Sequence, residues 1–143
     1  MVDDVLVNKA ATIERCVARA REEYEADPAT FATNFTRQDA AVLNVQRACE
    51  AALDMGQHLI RREHLGVPQG ARGVFDLLAR GHWIGAELAE SLKRMVAFRT
   101  IAVHDYRSLL LPITVSVITL HLGGFLQFAQ AVLLRAGSPA PPS

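Results

Sequence analysis

Apolar positions recur at three- and four-residue steps through most of the chain, and alternating strand-like runs are scarce. That period places one apolar stripe on each of a series of helices, so the pattern predicts an all-α, antiparallel bundle of about five. The first helix is expected over residues 4–26, with Val5, Ile13, Val17 and Ala20 near one face and Asp27-Pro28 as its stop. A loop over 28–36 offers Phe31 and Phe35 as apolar anchors and Asn34 as a turn residue. The second helix is long, about 36–64. Thr36 with Asp39 reads as its start signal, and Val42, Val45, Cys49, Leu53, Gly56 and Ile60 form its stripe. After a loop over 66–70, a short helix carries Val74, Phe75, Leu77 and Leu78 and ends at Gly81, with Trp83 anchoring the next turn. A fourth helix starts at Gly85 or Ala86 and runs to near Val103, with Leu88, Leu92, Met95, Val96 and Phe98 inward.

Residues 108–134 carry no Asp, Glu, Lys or Arg, and 27 such residues are enough to span a bilayer. Pro112, His121, Gln127, Gln130 and Gly123-Gly124 argue instead for a buried fifth helix, lying between other helices or across a subunit interface. Pro112 suits the first turn of that helix. No membrane association is expected. The run 137–143, rich in Pro and Ser, reads as a disordered tail behind a single helical domain over 1–136.

Composition narrows the function. With 143 residues, half of them hydrophobic, the chain has enough apolar surface for one core. Lys plus Arg and Asp plus Glu are 15 each, so nucleic acid could not be held by a broad basic surface; any such site is local. Lys9 and Lys93 are the lysines, leaving 13 arginines, the better planar ligands for phosphate. Cys16 and Cys49 lack metal-ligand spacing and sit among apolar helical residues, as buried free thiols of a reducing compartment do. The acidic start, without a signal-peptide pattern, fits the cytoplasm.

Two polar features stand out. On the second helix Asn44, Arg47, Asp54 and His58 fall in a narrow arc, either a solvated face or a polar wall against a site or a dimer seam. At the end of the fourth helix, Arg99, His104 and Tyr106 form an Arg-x4-His-x-Tyr pattern. Histidine titrates near neutrality and suits proton transfer to and from a ribose hydroxyl. Arginine stays ionised and forks onto phosphoryl oxygens. Together they form a minimal set for cutting RNA without a metal. On a continuous helix, residues five apart diverge by about 140°. Arg99 and His104 therefore converge only if the helix breaks between them or if two subunits share the site. A two-fold axis would supply two of each. On spacing alone, the same three residues could equally be capping and core groups at a helix end.

Met95 through Tyr106, together with Asp39, residues 42–51 of the second helix, Phe75 and Leu77-Leu78, resembles the HepT-like branch of the HEPN ribonucleases over about residues 1–135. The resemblance implies a homodimeric α-helical toxin. Such a toxin would cleave RNA, transfer RNA being one candidate, with Arg99 stabilising the transition state and His104 as general acid or base, without a metal or other cofactor. It also implies an MntA-like nucleotidyltransferase antitoxin that silences the toxin by AMP transfer onto Tyr106. Asn44 and Arg47 match the family's second-helix pattern and would lie near the RNA cleft. Thr100 departs from the family, which most often has Asn after the motif arginine. Threonine offers a hydroxyl but not an amide, and that departure with the neutral net charge fits an alternative: a non-catalytic helical module that docks a nucleotidyltransferase as its substrate or regulator.

Overall fold

The structure, a computed structural model, describes residues 3–137 and is all-helical among them. Helix α1 (Asp4–Glu25) opens on Asp3, whose Oδ1 accepts from the amides of Val5 and Leu6 and so satisfies two donors that a helix start leaves unpaired. The buried face of α1 is Leu6, Ala10, Ile13, Cys16, Val17 and Ala20. Val5, expected inward, is 41 % exposed. With Ile13 fixed inward, a seven-residue step back reaches Leu6 and not Val5.

The connection to the next helix contains one 3-10 turn, Phe31–Thr33. Phe31 is buried edge-on against Tyr24, with ring centroids 5.2 Å apart. Phe35 is not the second anchor: it is 71 % exposed. Helix α2 (Phe35–Glu63) is capped by Asn34, whose side chain accepts from the Arg37 amide. The start signal therefore lies two residues before the expected Thr36, and Asp39 is left free of a capping role. At its far end α2 closes on His64 in the left-handed region, with the Leu65 amide reaching back to the Ile60 carbonyl.

Helices α1 and α2 pack along their length. Asp3 meets His58 and Arg62, Lys9 meets Asp54, and Glu23 meets Arg37. Residue numbers rise on one helix as they fall on the other, so the pair is antiparallel. Helix α3 (Gly70–Arg80) lies against α2 where Gly56 gives it room: a Cβ there would fall 2.6 Å from Val74 Cγ1. Helix α4 (Ala86–His104) is tied to α3 by Lys93 with Asp76.

The last helical stretch is broken. Helix α5 (Leu111–Ser116), with Pro112 in its first turn as expected, runs into a π-turn (Val117–His121) and then α6 (Gly123–Gly137). The stretch 111–136 is long and apolar enough to cross a membrane, yet only 39 % of its most apolar window is buried. Val117, Ile118, Leu122, Phe125, Phe128, Ala129 and Val132 face the core, whereas Leu120 and Leu134 are 74 % and 66 % exposed. Within one chain the stretch is thus half-buried, with one face on the core and the other open. Phe128 stands edge-on to Phe75 at 5.5 Å. Trp83 is buried between the Arg135 guanidinium, 4.1 Å from its ring centre, and that of Arg62 at 5.9 Å. Arg135 also donates to the Gly81 carbonyl, pinning α6 to the turn after α3. The expected disordered tail falls outside the described residues except for Gly137, which ends α6.

Candidate active site

Helix α4 is continuous from Ala86 through His104, with the Asp105 amide still bonded to the Ile101 carbonyl. No break separates Arg99 from His104, so within one chain the two side chains diverge.

Arg99 turns towards α2. It lines a groove of 320 Å3 with Glu50, Leu53, Asp54 and Gln57 of α2 and Pro68, Gly70 and Ala71 at the start of α3. Its Nε is buried and lacks a hydrogen-bond partner, and among the described residues no carboxylate lies within ion-pair distance of the guanidinium. A buried guanidinium nitrogen without an acceptor is an unmet demand for an anion or a polar ligand. Below it Cys49 is covered, and burial pushes its thiol up to about 12 against the opposing effect of the Arg99 charge.

His104 is the last residue of α4. It is exposed, is absent from the Arg99 groove, and its imidazole has no hydrogen-bond partner among the described residues. Thr100 is also exposed and bonds its hydroxyl back to the Val96 carbonyl, which leaves the oxygen lone pairs as its means of contacting a ligand.

After His104 the chain leaves the helix through Asp105 into a 3-10 turn, Tyr106–Ser108, closed by the Ser108 hydroxyl on the Asp105 carboxylate. The Tyr106 hydroxyl donates to Asp39 Oδ1 of α2 at 2.5 Å. Partial burial and then this carboxylate push the phenol up to about 12. The sequence offers Asp39 as part of a helix start and as one of the residues of the family resemblance. Because Asn34 takes the capping work, Asp39 faces the motif instead. Nothing in the spacing of 39 and 106 could have announced that.

The polar arc of α2 is not merely solvated. Asn44, Arg47 and Asp54 line a second groove, of 270 Å3, with Lys9, Thr12 and Arg15 of α1. His58 lies outside it, paired with Asp3 at 2.8 Å. Asn44 spends its amide on the Ala40 carbonyl, and Arg47 is exposed without an ion pair among the described residues. Glu50 and Asp54 border both grooves, so Arg47 and Arg99 sit on opposite sides of one acidic ridge. The structure therefore brings Tyr106 to Asp39, and sets Arg99, Arg47 with Asn44, and His104 at three separate places.

A row of apolar side chains surrounds the motif. Ile101, Val103, Tyr106, Leu110 and Ile113 are 42 %, 46 %, 42 %, 62 % and 51 % exposed, and Phe35 and Leu43 add to the exposed apolar surface of α2.

Comparison with known proteins places the chain among nucleases. The model of the family described as Ribonuclease HepT-like matches residues 13–132. The mRNA nuclease HepT of Shewanella oneidensis is 44 % identical over 131 residues, covering 92 % of this chain and 98 % of its own. The tri-AMPylated Shewanella oneidensis HEPN toxin, solved in complex with an MNT antitoxin, superposes with a TM-score of 0.87 at 44 % identity, over 94 % of this chain and 99 % of that one. A toxin–antitoxin crystal structure with AMP-PNP matches with the same TM-score at 43 % identity, again over 94 % and 99 %.

Proposed function

The chain belongs to the HepT-like ribonuclease family and is an RNA endonuclease of the toxin–antitoxin kind; we propose that Arg99 and His104 carry its cleavage and that Tyr106 carries its off-switch. The observation behind the first part is the unpartnered, buried Nε of Arg99 in a polar groove. His104 takes the proton of a ribose 2′-hydroxyl, whose oxygen attacks the adjacent phosphorus in line. Arg99 holds the phosphoryl oxygens as their charge grows, and the 5′-oxygen leaves with a proton from water or from a second His104.

Divergence on one helix supports a dimer as the source of the pairing, with Arg99 of one protomer meeting His104 of the other. The exposed row from Ile101 to Ile113, which contains His104, is the apolar surface such a homodimer would cover. Asn44, Arg47 and Thr100 extend the RNA cleft outward from Arg99. The Shewanella relative is named for messenger RNA, so that is the first substrate to try and transfer RNA the second. The partner is a nucleotidyltransferase antitoxin like the one complexed with the Shewanella toxin, and Tyr106 is the acceptor of its AMP. The added nucleotide blocks RNA by bulk and by negative charge where phosphate must sit. The unit that works is one helical domain over 1–136, and its buried thiols suit the cytoplasm.

The test is cleavage of RNA by the pure protein in EDTA. Arg99→Ala and His104→Ala should each lose activity by about a hundredfold or more. If both variants cut like the parent, these roles are wrong.

A further inference from the structure

Tyr106 lies on a segment that leaves α4, yet its hydroxyl is held by α2 through Asp39 Oδ1 at 2.5 Å. Asp39 is exposed, and among the described residues no Lys or Arg pairs with it. Its carboxylate is therefore not neutralised by a neighbour and is in contact with the one atom of Tyr106 that can act as a nucleophile. A phenol is a poor nucleophile while it keeps its proton. Burial and Asp39 push this phenol up to about 12. At neutral pH such a group is ionised only to roughly one part in 10^5, so the proton must be taken during attack, not before it.

We propose that Asp39 is the general base for nucleotide transfer onto Tyr106. The Tyr106 oxygen attacks the α-phosphorus of a nucleoside triphosphate presented by the transferase. The O–P bond forms, the bond from that phosphorus to the pyrophosphate oxygen breaks, and the phenol proton passes to Asp39 Oδ1. This rests on the reading of Tyr106 as the acceptor. The charge balance is favourable. An anionic Asp39 beside an incoming triphosphate is repulsive, and proton capture removes that repulsion as the new bond forms. Once the proton is lost to water, Asp39 faces a phosphodiester that can no longer donate to it, so the contact between the motif and α2 is broken by the modification itself.

The experiment combines the full chain with its partner transferase, ATP and magnesium, and follows mass gain with time, mapping the modified peptide. Parent, Asp39→Asn and Asp39→Glu are compared across pH. His104, Asp105 and Arg107 flank the phenol in the chain and are common to all three proteins. Asp39→Asn keeps an acceptor but not a base. It should slow the first transfer about a hundredfold near neutral pH, and its rate should then climb about tenfold per pH unit as phenolate takes over. Asp39→Glu should restore part of the rate. Transfer by Asp39→Asn at the parent's rate would overturn the proposal. A loss of equal size at every pH would overturn it too, since that is the behaviour of a positioning contact. If the parent itself is never modified at Tyr106, the acceptor reading falls and this inference with it.

Discussion

Arg99 and His104 leave a single unbroken helix on different sides, about 140° apart and roughly 7.5 Å apart along the axis. One faces the groove against α2 and the other faces solvent beside an exposed apolar row. The proposed pairing of these two groups therefore runs between two copies of the chain.

Mixed dimers test that pairing. Arg99→Ala and His104→Ala protomers are each expected to be inactive, but co-assembled they should recover cleavage. Random assembly makes about half the dimers mixed, and each mixed dimer holds one intact pairing of two, giving about a quarter of the parent activity. Mixtures as inactive as the separate variants would mean that both groups act from the same chain.

The cysteines should be silent in the folded protein. Burial pushes the Cys49 thiol up to about 12 and raises that of Cys16, the latter opposed by Arg15 and Arg47. Thiolate is the reacting species, so neither should be labelled by a disulfide reagent at pH 8 over minutes, while both react once the chain is unfolded. Rapid labelling of Cys49 in the native protein would show that the Arg99 side of α2 opens.

Asp3 gives stability a pH dependence. Its burial acts to raise the carboxyl, but bonds from His58, the Leu6 amide and Arg62 outweigh it, and the net shift is downward from 3.8. A lowered carboxyl binds its proton less tightly in the folded state than in the unfolded chain. The stabilisation is therefore complete above the ordinary value and is lost as pH falls through the folded one. Asp3→Asn keeps an oxygen to cap α1 but not the charge. Its Tm should lie below the parent's at pH 7, and the gap should narrow as pH falls below the ordinary value of 3.8. A gap that persists in acid would assign the effect to the cap alone.

The helices were legible because each carries an apolar stripe that only one face of a 3.6-residue period can bury: Val42, Val45, Cys49 and Leu53 on α2, and Val74, Phe75, Leu77 and Leu78 on α3, are all inside. Errors arose where local chemistry competes. Asn34 and Thr36 are both good caps, and the sequence does not say which backbone will bend; the structure chose Asn34, which exposed Phe35 and released Asp39 to Tyr106. In the last stretch, absence of charge does not specify which face is covered; Val117 and Ile118 of the π-turn lie on the core while Leu120 is outward. The Arg99–His104–Tyr106 motif was visible, whereas the Glu50–Asp54 ridge and the Asp39 contact depend on how α2 is rotated against its neighbours.

Gly56 measures that rotation. It sits mid-helix, where glycine costs about 1 kcal/mol relative to alanine, so Gly56→Ala would stabilise an isolated α2. In the folded chain the added Cβ meets Val74 Cγ1 at 2.6 Å and Leu78 Cδ1 at 3.2 Å. Val74 is stiff at χ1 and fully buried, so it cannot swing away, and the helices must separate or strain by about 1–3 kcal/mol. The two effects oppose, and overpacking should win by about 1 kcal/mol, seen as a lower denaturation midpoint with unchanged m-value. Pairing Gly56→Ala with Val74→Ala should relieve the clash, so the double variant loses less than the sum of the singles. A stabilised Gly56→Ala protein would mean that α3 does not lie this close to α2, and the wall of the Arg99 groove formed by Pro68, Gly70 and Ala71 would have to be drawn elsewhere.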